Sequence, residues 1–287
     1  STNRFYLIQS YLPMVNFFSV IAGKLTFHKI WTGWRGMTFH QVKKPYLNTF
    51  DSISNLLSDG INANAHAILK DKLNKEKFLS YKKSTVIRNY IPIENFRRIT
   101  DEAKEYERKK FNVNNEDILL LCVSNLIPYK GHMDLLEALK LLPEKFKLTI
   151  AGRDDGLWSD LEEFIVSNDL QNRVNYLGYC NKEKLNILYQ VSDIYVSPSH
   201  TEGISNSIIE ALIHELRVVA TDAGGNAELL EDGKLGFICE ASNPEDLAKK
   251  ITAASKKLEN ISYGKDYIYR KYSKENMLNC YLKSWKI

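Results

Sequence analysis

Four cysteines in 287 residues, Cys122, Cys180, Cys239 and Cys280, stand far apart with no CxxC among them. That spacing argues against a disulfide framework, and the thiols read as buried groups in a reducing compartment. The six histidines form neither HxxxH nor HExxH, so no metal site is expected. GxxxxGK[ST] is missing, which sets aside phosphate-loop ATPase chemistry. GxGxxG after a strand is missing too, which sets aside a dinucleotide oxidoreductase. No apolar run reaches the roughly 20 residues of a membrane span. The opening STNRFYLIQS lacks the basic start, apolar core and small-residue cleavage site of a secretory leader. There are no internal repeats, and no motif or aromatic interleaving of the kind that binds nucleic acid.

What is present reads as a globular α/β chain. Hydrophobic residues make up 44% and charged residues 26%, the balance of a protein with a buried core. Charge is uneven: residues 1–118 hold 19 Lys/Arg against 11 Asp/Glu, a formal +8, and the rest 20 against 24, a formal −4. A basic front half fits docking on an anionic surface, or is simply a solvated charged face. Short apolar runs at 118–125, 146–152, 173–179, 193–199, 217–222 and 236–240 alternate with helical periodicity at 132–142, 157–169 and 181–191. Continuous apolar strands between helices predict a parallel sheet. The front half is less regular, with strands expected at 5–11, 28–36, 59–64 and 84–92 and helices at 17–25 and 66–73. A charged helix from Thr100 to Phe111 joins the halves, and the chain closes on helical segments rich in aromatics.

Three strand-end loops carry residues suited to an anionic, hydroxyl-bearing ligand. In SNLIPYKGH, Gly131 permits a tight turn and Lys130 stands at a helix N-terminus, where a cation is unfavourable unless an anion is present. Lys130 is therefore a candidate diphosphate clamp; the alternative is an ordinary surface lysine. In SPSHTEGISNSIIEAL, Glu202 lies in a turn beside Gly203, and Glu210 lies in a helix capped by Ser205 among apolar neighbours. A partly buried carboxylate needs partners, and vicinal ribose hydroxyls would provide them. The alternatives are a helix-end charge for Glu202 and a satisfied structural carboxylate for Glu210. The third loop holds Gly224 and Gly225.

These stretches carry a resemblance. VSNLIPYKGHMDLLEAL, AGRDDG, YLGYCNKEKLNILYQVSDIYVSPSHTEGISNSIIEAL and VVATDAGGNAELLEDGKLGFI, in order over roughly residues 118–240, resemble the donor-binding domain of the retaining glycosyltransferases of family 4. More weakly, AGKLTFHKIWTGWRG, SDGINANAHAILKDKL and STVIRNYIP resemble the later part of that family's N-terminal domain. The resemblance implies the GT-B architecture, two Rossmann-like domains facing a cleft. The expected divisions are 1–112 on the acceptor side, 113–262 for the nucleotide sugar, and 263–287 as a helix returning to the first domain. The family's first strand and glycine-rich loop have no counterpart, so the N-terminal domain is expected to be incomplete.

The resemblance also assigns roles. Lys130 and Gly131 would meet the donor diphosphate, with Asn125 standing where the family often has arginine. Glu210 would hold the ribose, Glu202 the transferred sugar, and Gly203 and Ile204 would face sugar and phosphate. Asn206 and Ser207 would lie near the distal phosphate, Tyr179 beside the base, and Arg35 in the catalytic cleft. Glu215 and Arg217 replace the family's glycine and proline, which alters a surface turn. The implied reaction moves a hexose from a nucleotide-diphosphate sugar, with UDP the expected nucleotide, to a glycan or lipid-linked acceptor. It retains anomeric configuration and needs no metal or other cofactor. The implied setting is cytoplasmic, with peripheral contact at the inner face of a membrane. Rival readings are a donor-binding scaffold without turnover and a GT-B-like epimerase or phosphorylase.

Overall fold

Every strand pairing among the described residues is parallel. The computed structural model of the chain describes residues 6–35, 45–76, 84–90, 98–256 and 262–285. Residues 5, 36 and 91–92 of the strands expected from the sequence, and 286–287 of the expected last helix, lie outside these. Contacts divide the chain into two units, one of Ser1–Ile91, Glu202–Ile204 and Tyr272–Ile287, the other of Pro92–Thr201 and Ser205–Lys271.

The first unit alternates β1 (Leu7–Tyr11), α1 (Pro13–Leu25), β2 (Lys29–Trp34), α2 (Pro45–Leu57), β3 (Gly60–Ala63), α3 (His66–Lys75) and β4 (Ser84–Val86). Its sheet runs in chain order, β1-β2-β3-β4. Helix α1 opens on Pro13, whose fixed φ suits a first turn. Helix α2 went unread in the sequence. Its buried Asp51 meets Lys72 of α3 at 2.6 Å, so part of what fixes it is a tertiary ion pair rather than local pattern.

The second unit begins with α4 (Asp101–Lys110) and continues through β5 (Ile118–Val123), α5 (His132–Leu141), β6 (Phe146–Ala151), α6 (Trp158–Ser167), β7 (Val174–Tyr176), α7 (Lys182–Val191), β8 (Ile194–Ser197), α8 (Asn206–Ile213), β9 (Arg217–Thr221), α9 (Asn226–Leu229), β10 (Phe237–Cys239), α10 (Pro244–Lys256) and α11 (Ser262–Lys271). All six strands fall where apolar runs placed them, in the order β10-β9-β8-β5-β6-β7. Their continuous hydrophobicity reflects burial on both faces. Leu120 and Cys122 join a core with Leu135, Leu139, Leu161 and Ile251, while Leu119 packs with Val113 and Val191.

Arg108 binds α4 into this unit. Its guanidinium donates to the carbonyls of Val191 and Asp117, both at 2.8 Å, and to the Asp193 carboxylate at 2.9 Å. The last helix, α12 (Lys274–Trp285), counts with the first unit. The unit limits thus differ from the divisions drawn at 112/113 and 262/263, because α4 and α11 pack with the second unit.

The four cysteines are free thiols, but only three are buried; Cys280 on α12 is half-buried. Burial pushes the Cys122 thiol up to about 11 and that of Cys239 to about 12. No described helix is long and apolar enough to cross a membrane.

Candidate functional site

The six-stranded sheet changes direction at one place. From β5 the chain winds outward through β6 and β7, then returns to β8 on the other flank of β5 and winds outward through β9 and β10. The crevice at the C-terminal ends of β5 and β8 is therefore a topological switch point, where open α/β sheets receive their ligands. Two of the three loops singled out in the sequence border it.

The loop after β5 makes a 3-10 turn at Pro128–Lys130 and ends on Gly131 at φ 70. A Cβ at Gly131 would come within 2.0 Å of the Pro198 carbonyl oxygen. Only glycine accepts both the left-handed backbone and that approach. Leu126 N donates to Arg153 O at 2.8 Å, and Arg153 N donates to Asn125 Oδ1 at 3.3 Å. The Asn125 side chain thus ties two loops together. Lys130 is half-buried, its ammonium 5.6 Å from the centre of the Tyr129 ring. Beneath the loop, His132 is fully buried and meets Ser124 Oγ at 3.0 Å. Burial, with the Lys130 charge second, holds this imidazole down to about 4.

On the other side, α8 presents its N-terminus. Ser205 Oγ accepts from Ile208 N at 3.4 Å, the cap expected from the sequence. Asn206 is exposed. Ser207 Oγ receives a hydrogen bond from Tyr195 at 2.7 Å and lies 3.1 Å from Ser205 Oγ. Glu210 is half-buried, and Tyr189 donates to its Oε2 at 2.9 Å. Burial raises the Glu210 carboxyl above its ordinary value, opposed by the Tyr189 hydrogen bond and by Lys182. The Tyr189 ring stacks on His214 at 4.9 Å. His214 Nδ1 donates to the Glu210 carbonyl at 2.8 Å, and burial keeps the ring down to about 4. A neutral ring has one N–H, so the Asn186 amide 2.9 Å from Nε2 turns its NH2 to the ring.

Lys130, Gly131, Asn125, Asn206, Ser207 and Glu210 therefore border one crevice of the second unit. Tyr179 does not join them: it follows the edge strand β7 and is 73% exposed, beside a groove lined with Asn181, Glu183, Lys184 and Ile187. Arg35, Glu202, Gly203 and Ile204 belong to the first unit. There Arg35 lies 4.4 Å from the centre of the Tyr11 ring and donates to the Tyr281 hydroxyl at 3.2 Å. The Tyr11 and Tyr281 hydroxyls are themselves hydrogen-bonded. Gly203 sits so close that a Cβ there would be 2.9 Å from the Arg35 carbonyl oxygen. Glu202 is half-buried. The supporting residues Tyr189, Tyr195, Tyr11 and Tyr281 went unread, since a tyrosine in an apolar stretch gives no sign of what its hydroxyl will meet.

Two parallel-sheet units, the second doubly wound around a switch point, define an α/β protein of the GT-B class. The chain belongs to the family described as glycosyl transferases group 1, whose pattern matches residues 103–270. Over 131 residues it is 32% identical to an uncharacterized glycosyltransferase of Methanocaldococcus jannaschii, covering 46% of this chain and 36% of that protein. A Campylobacter jejuni relative, N,N'-diacetylbacillosaminyl-diphospho-undecaprenol alpha-1,3-N-acetylgalactosaminyltransferase, is 28% identical over 155 residues, 54% of this chain and 39% of its own length. The chain thus spans half or less of the curated relatives it matches. Among solved structures, Anabaena HepE in complex with UDP superposes with a TM-score of 0.89 at 20% identity, covering 98% of this chain and 79% of that one. A Rickettsia africae glycosyltransferase gives 0.80 at 25% identity, covering 93% and 73%.

Proposed function

We propose that the protein transfers a hexose from a nucleotide-diphosphate sugar, with UDP as the nucleotide, to a hydroxyl of a glycan or lipid-linked acceptor. The observation that carries this reading is the switch-point crevice, bordered by Lys130 on one side and by the capped N-terminus of α8 with Glu210 on the other. A diphosphate leaving group gains negative charge as its bond to the sugar breaks. A lysine and a helix N-terminus placed there favour that charge in the transition state more than in the ground state. Glu210, supported by Tyr189, holds the ribose hydroxyls.

The reading is supported by relatives named for glycan assembly. The Campylobacter enzyme is named for a diphospho-undecaprenol acceptor, and HepE was solved with UDP and with UDP-glucose. We further propose retention of configuration by a front-face route, in which the leaving phosphate oxygen takes the acceptor proton, without a metal. A basic front half and a lipid-linked acceptor suit peripheral work at the cytoplasmic face of a membrane. Calorimetric titration with UDP, GDP and ADP tests the donor site. UDP should bind, and Glu210→Ala should weaken it by about tenfold or more, the weight of one lost hydrogen-bonding carboxylate. A folded chain that binds none of the three, or a variant that binds as well as the parent, would overturn the assignment.

A further inference from the structure

Three ties join the loop after β5 to the loop after β8 across the switch point. Gly131 packs on the Pro198 carbonyl. His200 N donates to Tyr129 O at 2.8 Å. His200 Nε2 donates to Asp134 Oδ2 at 2.7 Å, with the carboxylate on the first turn of α5. The first two ties are backbone matters, open to many side chains at position 200. The third is a side-chain pair joining opposite banks of the crevice.

From this geometry we infer that His200 and Asp134 are positioning residues for the donor diphosphate, a clamp that sets the Lys130 loop against the loop after β8. The inference rests on the donor-site reading above. Asp134 is well placed for the task. Its charge is favoured at the helix N-terminus, and an imidazole N–H to a carboxylate makes a strong, directional bond. Leu126 N on Arg153 O at 2.8 Å and the Asn125 side chain anchor the start of this loop, whereas the bonds of Lys130 N to Ile127 O at 2.9 Å and of Gly131 N to Pro128 O at 3.2 Å lie within the turn itself. Without the clamp the loop would spend part of its time displaced. The diphosphate would then bear the cost of ordering it, which lowers apparent affinity in proportion to the competent fraction.

The test compares UDP with UMP, which lacks the second phosphate, and adds amide hydrogen exchange over residues 126–133. In the full chain, His200→Ala and Asp134→Ala should each weaken UDP by about tenfold and UMP far less, and the double variant should be no worse than either single one. Exchange in 126–133 should quicken in both. His200→Gln, whose amide can reach the same carboxylate, should restore UDP affinity and slow exchange again. Unchanged UDP affinity and exchange in the alanine variants would overturn the clamp. So would equal losses for UDP and UMP without rescue by glutamine. If the parent chain binds no UDP, the donor-site reading falls, and the exchange result alone then decides the clamp, unchanged exchange overturning it.

Discussion

A carboxylate that must accept hydrogen bonds from a ligand needs something to keep it ionised where solvent is scarce. Glu210 is pulled two ways: burial raises its pKa, and the Tyr189 hydroxyl with Lys182 lowers it. Tyr189→Phe removes one oxygen from a fully packed position and leaves the stack on His214 in place. We expect UDP affinity to fall by about tenfold, roughly 1.4 kcal/mol, within the range of a hydrogen bond to a charged group. The pH dependence gives a second check. Binding that needs the carboxylate is present above the Glu210 pKa and is lost as pH falls through it. The variant should raise that pKa, so the loss should begin at higher pH. An unchanged affinity and an unchanged pH profile, measured by calorimetry, would remove Tyr189 from this role.

Helix endings show where elements are held by geometry that composition hides. Helix α8 closes with Leu216 N on Ala211 O at 3.0 Å and Glu215 N on Leu212 O at 3.1 Å, the paired bonds of a Schellman turn. The turn needs a left-handed residue, and Glu215 supplies it at φ 60. This is the position where the resembling family has glycine. Here the side chain is engaged with Arg98 and, at 3.6 Å, with Lys265. Helix α6 closes the same way on Asp169 at φ 56, but that side chain is exposed. Asp169→Gly should therefore raise stability by about 0.5–1 kcal/mol, by relief of left-handed strain. A urea midpoint shifted downward would count against it. Strand positions in the second unit were legible because strands buried on both faces write themselves as continuous apolar runs. The capping Ser205 and the Gly131 turn were legible for equally local reasons. Helix α2 was not, because its buried Asp51 meets Lys72 on another helix, a pairing that local pattern does not reveal. The supporting shell of the crevice was hidden likewise: His200 and Asp134 are 66 residues apart, and only the strand order brings them together.

At the scale of the whole molecule, a buried histidine and a half-buried one shape the response to acid. His132 and His214 are both held down to about 4 from an ordinary value of 6.5, chiefly by burial. Between those values the unfolded chain binds more protons than the folded one, so stability is full above about pH 6.5 and declines as pH falls toward 4. The ceiling is about 3 kcal/mol for each histidine. Glu210, raised instead of lowered, acts in the opposite sense and offsets part of the decline. Urea midpoints at pH 7.5 and pH 5 should differ, and His132→Asn should shrink the difference; equal midpoints would refute this account. The first unit poses a problem of timing rather than of charge. It is assembled from Ser1–Ile91, the short piece Glu202–Ile204, and Tyr272–Ile287, whose Tyr281 hydroxyl meets both Tyr11 and Arg35. A chain made from its N-terminus at the ribosome therefore presents the early strands well before α12, which counts with them. Throughout the synthesis of Pro92–Lys271, β1 and Arg35 wait without α12. The second unit, whose sequence is all but continuous, has no such delay, so the nascent chain should finish it before the first unit, whose strands precede it in sequence.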